Sequence, residues 1–133
     1  MIVVDTSAVI AILLAEPEAE PFLRAVIAAD RAEISAGSAL ETAIVLERAA
    51  GESVVHDFER LLDETGVQVV PFDRDQLEHA RYAFRHFGRG SGHAARLNFG
   101  DCFAYALAKL RAAPLLFKGT DFGRTDILRA RAE

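Results

Sequence analysis

A three-layer α/β/α domain built on a parallel sheet of four or five strands is the fold class this sequence predicts. Two patterns predict it. Short continuous apolar runs, such as Ile2-Val3-Val4 and Leu115-Leu116-Phe117, alternate with longer stretches whose apolar residues recur at helical spacing. Strands covered on both faces read as such runs, and strands separated by helices pair in parallel. With 133 residues, 51% of them hydrophobic and 26% charged, the chain makes one folded domain, residues 1–133, and excludes disorder.

The elements follow in order. Ile2 to Val4 is the first strand, and Thr6 or Ser7 can cap a helix carrying Val9, Ile10, Ile12, Leu13 and Leu14. Pro17 starts a second helix with Phe22, Leu23, Val26 and Ile27 facing inward. Ala32 to Ala36 is a short strand. Ser38 and Glu41 have capping-box spacing at the head of a third helix with Leu40, Ile44, Val45 and Leu46, ended by Gly51. A fourth helix from Ser53 to Thr65 buries Val54, Val55, Phe58, Leu61 and Leu62, and Gly66 leads into the strand Val67 to Pro71. Asp73 caps a fifth helix, with Gln76 as its capping-box partner and Leu77, Ala80, Ala83 and Phe84 buried, and Gly88 stops it. Gly88 to Gly92 is a flexible exposed connection. A sixth helix runs from Phe99 to Ala112, a strand from Pro114 to Phe117, and Ile127-Leu128 makes a short edge strand.

Composition excludes several functions. The net charge of −5 argues against a surface that grips nucleic acid everywhere, so any such contact is local. One cysteine, Cys102, rules out an internal disulfide and Cys-pair zinc sites, and its helical setting reads as core. His56, His79, His86 and His93 show no zinc-ligand spacing. The apolar stretch Ala8 to Ala15 is too short to span a bilayer and has no preceding Lys or Arg. A cytoplasmic protein with no membrane association is expected.

Four acids carry the chemistry. Asp5 and Asp121 follow strands, Glu41 and Asp101 open helices, and all four therefore gather at the carboxyl edge of a parallel sheet, where α/β folds bind ligands. Each alone has a structural explanation as a cap, a turn residue or a partner of a helix dipole. Their coincidence at one edge does not. Close carboxylate pairs repel by about 4 kcal/mol at an effective dielectric of ~20, which calls for a cation. Oxygen-only donors select Mg2+ or Mn2+, whose chemistry is phosphoryl transfer. Thr6, Ser7, Asn98 and Thr120 lie beside the acids and can hydrogen-bond them or the waters around an ion.

These residues also carry a resemblance. Val3-Val4-Asp5-Thr6-Ser7-Ala8, Glu41, Leu97-Asn98-Phe99-Gly100-Asp101-Cys102, Phe117-Lys118-Gly119-Thr120-Asp121-Phe122 and Thr125-Asp126-Ile127 resemble the PIN-domain family, and within it the VapC-type toxins of bacterial toxin–antitoxin pairs. The likeness runs from Ile2 to Leu128 with every acid in order. It implies a Mg2+-dependent endoribonuclease in which Asp5, Glu41, Asp101 and Asp121 hold the metal, with a cognate antitoxin and a homodimer as partners. Thr120 departs from the Asn or Asp of many relatives. Asp126 matches a position acidic in many of them, which implies a role around the metal ligands.

Between Arg81 and Gly100 the chain has four Arg, two His and no acid. Arg85, Arg89 and Arg96 of this run are the candidate RNA-binding residues. Two rival functions are a Mg2+-dependent phosphatase of the haloacid-dehalogenase kind, which needs a second Asp where Ser7 stands, and a non-catalytic PIN-like interaction module, whose mark is the loss of an acid.

Overall fold

The computed structural model describes all residues, Met1–Glu133. Four strands, β1 (Ile2–Val4), β2 (Ala32–Ser35), β3 (Gln68–Val70) and β4 (Leu115–Leu116), form one parallel sheet in the order β3-β2-β1-β4. Six helices surround it: α1 (Thr6–Leu13), α2 (Ala19–Ala28), α3 (Ala36–Ala50), α4 (Glu52–Thr65), α5 (Arg74–Phe87) and α6 (Asp101–Arg111), with a 3-10 turn at Phe122–Arg124. Alternate strand residues point to opposite faces. Val3 and Leu115 pack with Leu97, Tyr105 and Leu107 on the side of α5 and α6, while Val4 and Leu116 pack with Val9, Phe22, Leu46 and Phe58 on the side of α1 to α4. The register, Val3 opposite both Glu33 and Leu115, fixes which carboxyl ends lie together.

The expected edge strand at Ile127-Leu128 is reduced to one parallel bridge, in which Leu115 N donates to Leu128 O and Ala130 N to Leu115 O, each at 2.8 Å. A two-residue β4 offers little more to pair with. Gly88 to Gly92 is not an open connection: Leu97 N donates to Phe87 O at 2.8 Å and Arg89 N to Leu97 O at 2.9 Å, which closes the loop at its base.

Several expected caps move. α1 is capped by Asp5, whose side chain accepts from Ser7 N, and not by Thr6 or Ser7. Ala15, at φ 53°, turns the chain after α1, and α2 begins at Ala19 rather than Pro17. β2 passes into α3 without a loop, so the cap falls back to Ser35, which accepts from Gly37 N. Ser38 is then fully buried inside the helix, and Glu41 lies in the second turn, so their capping box does not form. Asp73 does cap α5 by accepting from Gln76 N, but the buried Gln76 side chain donates to Pro71 O at 2.8 Å instead of returning.

The sheet also leaves uncovered some residues expected inside. Ile27, Leu77 and Phe84 are exposed, as are Leu40 and Ile44. Conversely Glu33, a charged residue in the middle of β2, is fully buried. Arg111 Nε donates to its Oε2 at 2.7 Å from the end of α6, and Arg31 pairs with Oε1. No helix is long and apolar enough to cross a membrane.

Candidate metal-ion site at the carboxyl edge

From β1 the chain proceeds to β2 and β3 on one side and then returns to place β4 on the other. Strand order therefore reverses between β1 and β4, which opens a crevice outside their carboxyl ends. Asp5 leaves β1 into this crevice as the cap of α1. It is buried and accepts from Ser7 N at 3.0 Å and from Ser7 Oγ at 2.6 Å, both on Oδ2. Burial raises its carboxyl above the ordinary value; the Ser7 bonds counter part of that, and the Glu41 charge adds to it.

Asp101 opens α6 through a reciprocal pair of bonds with Asn98. Asn98 N donates to Asp101 Oδ2 and Asp101 N donates to Asn98 Oδ1, each at 2.9 Å. Its carboxyl is pushed up to about 6, first by burial, then by the charges of Asp5, Glu41 and Asp121. All four acids therefore share one electrostatic neighbourhood. Glu41 reaches it from α3 by lying against Gly100, where any Cβ would overlap the Glu41 carboxylate. Asp121 enters just before the 3-10 turn, exposed, with no cap bond from its side chain.

No Lys or Arg pairs with any of the four, although the chain neutralises acids elsewhere, as at Glu33 and Asp126. An all-oxygen donor set with uncompensated charge fits a hard divalent cation in kind. In arrangement the fit is incomplete: no three His, Cys, Asp or Glu side chains close tightly enough to enclose an ion as they stand. Asp5 and Asp101 are pinned by hydrogen bonds, while the Glu41 and Asp121 side chains make none and are free to adjust around an ion.

The other expected site residues divide. Ser7 and Asn98 hydrogen-bond the acids, Ser7 by side chain and backbone and Asn98 through its backbone. The Thr6 hydroxyl does not, because it donates to Ser38 O at 3.0 Å beside Thr42, a buried link between α1 and α3. Thr120 is exposed and bonds to no acid. Asp126 lies away from the cluster, accepting from Tyr105 Oη at 2.8 Å and Lys109 Nζ at 2.9 Å farther along α6. Burial alone would raise its carboxyl; these bonds outweigh that and hold it below the ordinary value. Asp126 staples the chain end to α6.

Arg85, Arg89 and Arg96 are exposed and make no ion pair, as is also true of Arg48, Arg74 and Arg81, whereas Arg24, Arg31, Arg60 and Arg111 are paired. Cys102 is a core residue as expected, its thiol pushed up to about 11 by burial and then by Asp101. Two contributors went unread in the sequence. Gly100 makes room for Glu41, and Lys118 N donates to Ser7 Oγ at 3.0 Å, tying the loop after β4 to the Asp5 bond. The glycine before Asp101 was the visible signal for the first; a backbone amide leaves none.

Beside the acids lies an apolar surface. Cavities of about 440 and 480 Å³ share Phe99 and Phe103. The first is walled by Leu77 and Phe84, and the second runs past Leu40 and Ile44 to Glu41. Phe99, 77% exposed, is the ridge between them.

A PIN-domain profile matches residues 2–128. Ribonuclease VapC28 of Mycobacterium tuberculosis is 47% identical over 128 residues, covering 96% of each chain. Ribonuclease VapC30 of the same species is 47% identical over 125 residues, 94% of this chain and 95% of the relative. Among solved structures, M. tuberculosis VapC20, described as a sarcin-ricin loop cleaving toxin, superimposes with a TM-score of 0.79 at 20% identity over 98% of this chain and 99% of that one. A toxin–antitoxin complex from Klebsiella pneumoniae gives 0.71 at 18% identity over the whole of both chains.

Proposed function

The chain belongs to the PIN-domain family, among its VapC ribonucleases, and we propose that it is a Mg2+- or Mn2+-dependent endoribonuclease, the toxin of a toxin–antitoxin pair acting in the cytoplasm. The observation that carries this is the uncompensated set Asp5, Glu41, Asp101 and Asp121, four carboxylates in one neighbourhood with no internal cation. These four would hold the ion. When bound, it supplies Lewis acidity to the scissile phosphate and the attacking water.

The chain's own residues supply the rest. Ser7 and Asn98 keep Asp5 and Asp101 at fixed positions, while Glu41 and Asp121, without side-chain hydrogen bonds, would complete the set. Asp121, exposed and free of hydrogen bonds, is the acid best placed to take the proton of the attacking water. Arg85, Arg89 and Arg96 are cations with no internal partner, and they guide the flanking RNA backbone. The apolar surface around Phe99 supports a homodimer, since exposed apolar residues of this size and number mark protein contacts. The antitoxin, which inhibits the enzyme in the VapC-type pairing, is the second protein partner.

Incubation of the purified chain with RNA tests the reading. Cleavage is expected with Mg2+ or Mn2+ and none in excess chelator, and undiminished cleavage in chelator would overturn it. Expression alone should arrest growth, and co-expression of the neighbouring gene should relieve it; harmless expression of folded, active enzyme removes the toxin role and leaves the nuclease.

A further inference from the structure

Unlike Asp5 and Asp101, Asp121 has no side-chain hydrogen bond of its own to hold it. Its side chain makes no cap bond, and the preceding residues Lys118, Gly119 and Thr120 are all exposed. β4 ends at Leu116, whose carbonyl receives Asp5 N at 3.0 Å, and beyond that the chain has left the sheet. Gly119, at φ 95°, turns it there. The position of Asp121 is therefore set on one side by Phe122, buried in the core, and by Arg124 N on the Asp121 carbonyl, and on the other side by whatever fastens residues 117 to 119.

Beyond the buried Phe117 ring, Arg129 supplies two of the hydrogen bonds that fasten that segment. Its Nη1 donates to Phe117 O at 3.1 Å and its Nη2 to Gly119 O at 2.7 Å, so one guanidinium bridges two carbonyls on either side of Lys118. The same group lies 3.8 Å from the centroid of the Phe117 ring. Arg129 is itself anchored by the bridge to Leu115, through the bonds made by Leu128 O and Ala130 N. The remaining fasteners are Lys118 N on Ser7 and the pairs from Lys118 Nζ to Glu16 and Glu18, each 3.2 Å. Those ion pairs are partly exposed and contribute little.

We propose that Arg129 is a positioning residue for Asp121, holding the loop so that this carboxylate can join Asp5, Glu41 and Asp101 on an ion. The inference rests on the reading of the four acids as the metal-holding set. A planar fork is required, because a lysine ammonium cannot donate to both carbonyls while stacking on Phe117. It also has a sign opposite to simple electrostatics. Removing a positive charge near an acid cluster should tighten cation binding; removing a positioning residue should weaken it.

The test is Mn2+ binding to the full chain, followed by calorimetry, for the parent, Arg129→Met, Arg129→Lys, Asp121→Asn and the double variant Arg129→Met with Asp121→Asn. Met keeps the aliphatic bulk over Phe117 without the donors. Expected is a roughly tenfold weaker affinity in Arg129→Met, the low end of what loss of a ligand's supporting partner costs, with Arg129→Lys close to it. In the Asp121→Asn background the Arg129→Met change should have almost no further effect, a non-additivity that general destabilisation would not produce. Amide exchange at Lys118, whose N–H donates to Ser7 Oγ, should quicken in both Arg129 variants. Parent-like or tighter Mn2+ binding by Arg129→Met, or additive losses in the double variant, would overturn the inference. A parent chain that binds no Mn2+ would overturn the reading of the four acids, and this inference with it.

Discussion

Two buried carboxylates, Glu33 in β2 and Asp5 at the end of β1, sit in the same sheet under opposite regimes. Glu33 is fully buried and receives two arginines, Arg31 and Arg111, from within the chain. Asp5 is nearly as buried and receives only Ser7, with three more acids nearby. A buried charge is tolerated when it is paired and is costly otherwise. The chain thus had the means to neutralise an acid and did so on one side only. Glu33 serves the fold, binding α6 to the sheet, and on the proposed reading the acid cluster takes its compensating charge from outside.

The largest expected break in this contrast is Asp5→Asn. Cleavage should fall about a thousandfold, since metal-supplied charge stabilisation is worth several kcal/mol and each ~1.4 kcal/mol is tenfold. Melting temperature should hold or rise, because one of four repelling charges is gone. A variant that keeps cleaving, or melts well below the parent, would place Asp5 in the same class as Glu33.

The metal-free chain should show the cluster's cost directly. The carboxyls of Asp5 and Asp101 are raised above the ordinary 3.8, Asp101 to about 6, so the folded state retains protons that the unfolded chain releases. Unfolding then releases protons, and the contribution of these groups to stability declines as pH rises from about 4 through about 6. Without metal the chain should melt higher at pH 5 than at pH 7.5. At pH 7.5, Mg2+ at a hundred times its Kd should add about 2.7 kcal/mol, on the order of 10 °C for a domain of this size. A flat pH profile and no Mg2+ response would mean the acids are already compensated. Arg111→Ala should do the reverse, removing about 2 kcal/mol of stability by taking a charge-assisted bond from Glu33, with Mg2+-dependent cleavage intact below the lowered melting temperature.

How much of this contrast the sequence disclosed depends on which half is asked about. The order of strands and helices and the four acids were legible because apolar period and element ends are local properties. Glu33 was not: a lone acid in a short strand has no local mark, and its partner Arg111 is 78 residues away. Helix starts were missed where β2 runs straight into α3 and the cap moved to Ser35, and where Asp5 proved to be both acid and cap. Thr6 sits beside Asp5 in sequence and Asp126 matches an acidic position of the family, yet their side chains turn toward Ser38 and toward α6. Ile27, Leu77 and Phe84 carry helical spacing that an inward face and an exposed apolar face share equally.

The smallest expected effect is also the sharpest probe of geometry. Gly100 has an ordinary φ of −63°, so an alanine there meets no backbone penalty. What it meets is the Glu41 carboxylate, the far end of a side chain that can swing away. Gly100→Ala should therefore leave the melting temperature nearly unchanged, while displacing Glu41 from the place it now takes beside Asp101. Cleavage and Mg2+ affinity should each fall about tenfold, the scale of disturbing a ligand without deleting it. Combining it with Glu41→Gln sharpens the point: if Gly100 acts by giving Glu41 room, the alanine costs little once the carboxylate is gone. Full losses that add in the double variant would mean that Gly100 serves the start of α6 and not the acid it faces.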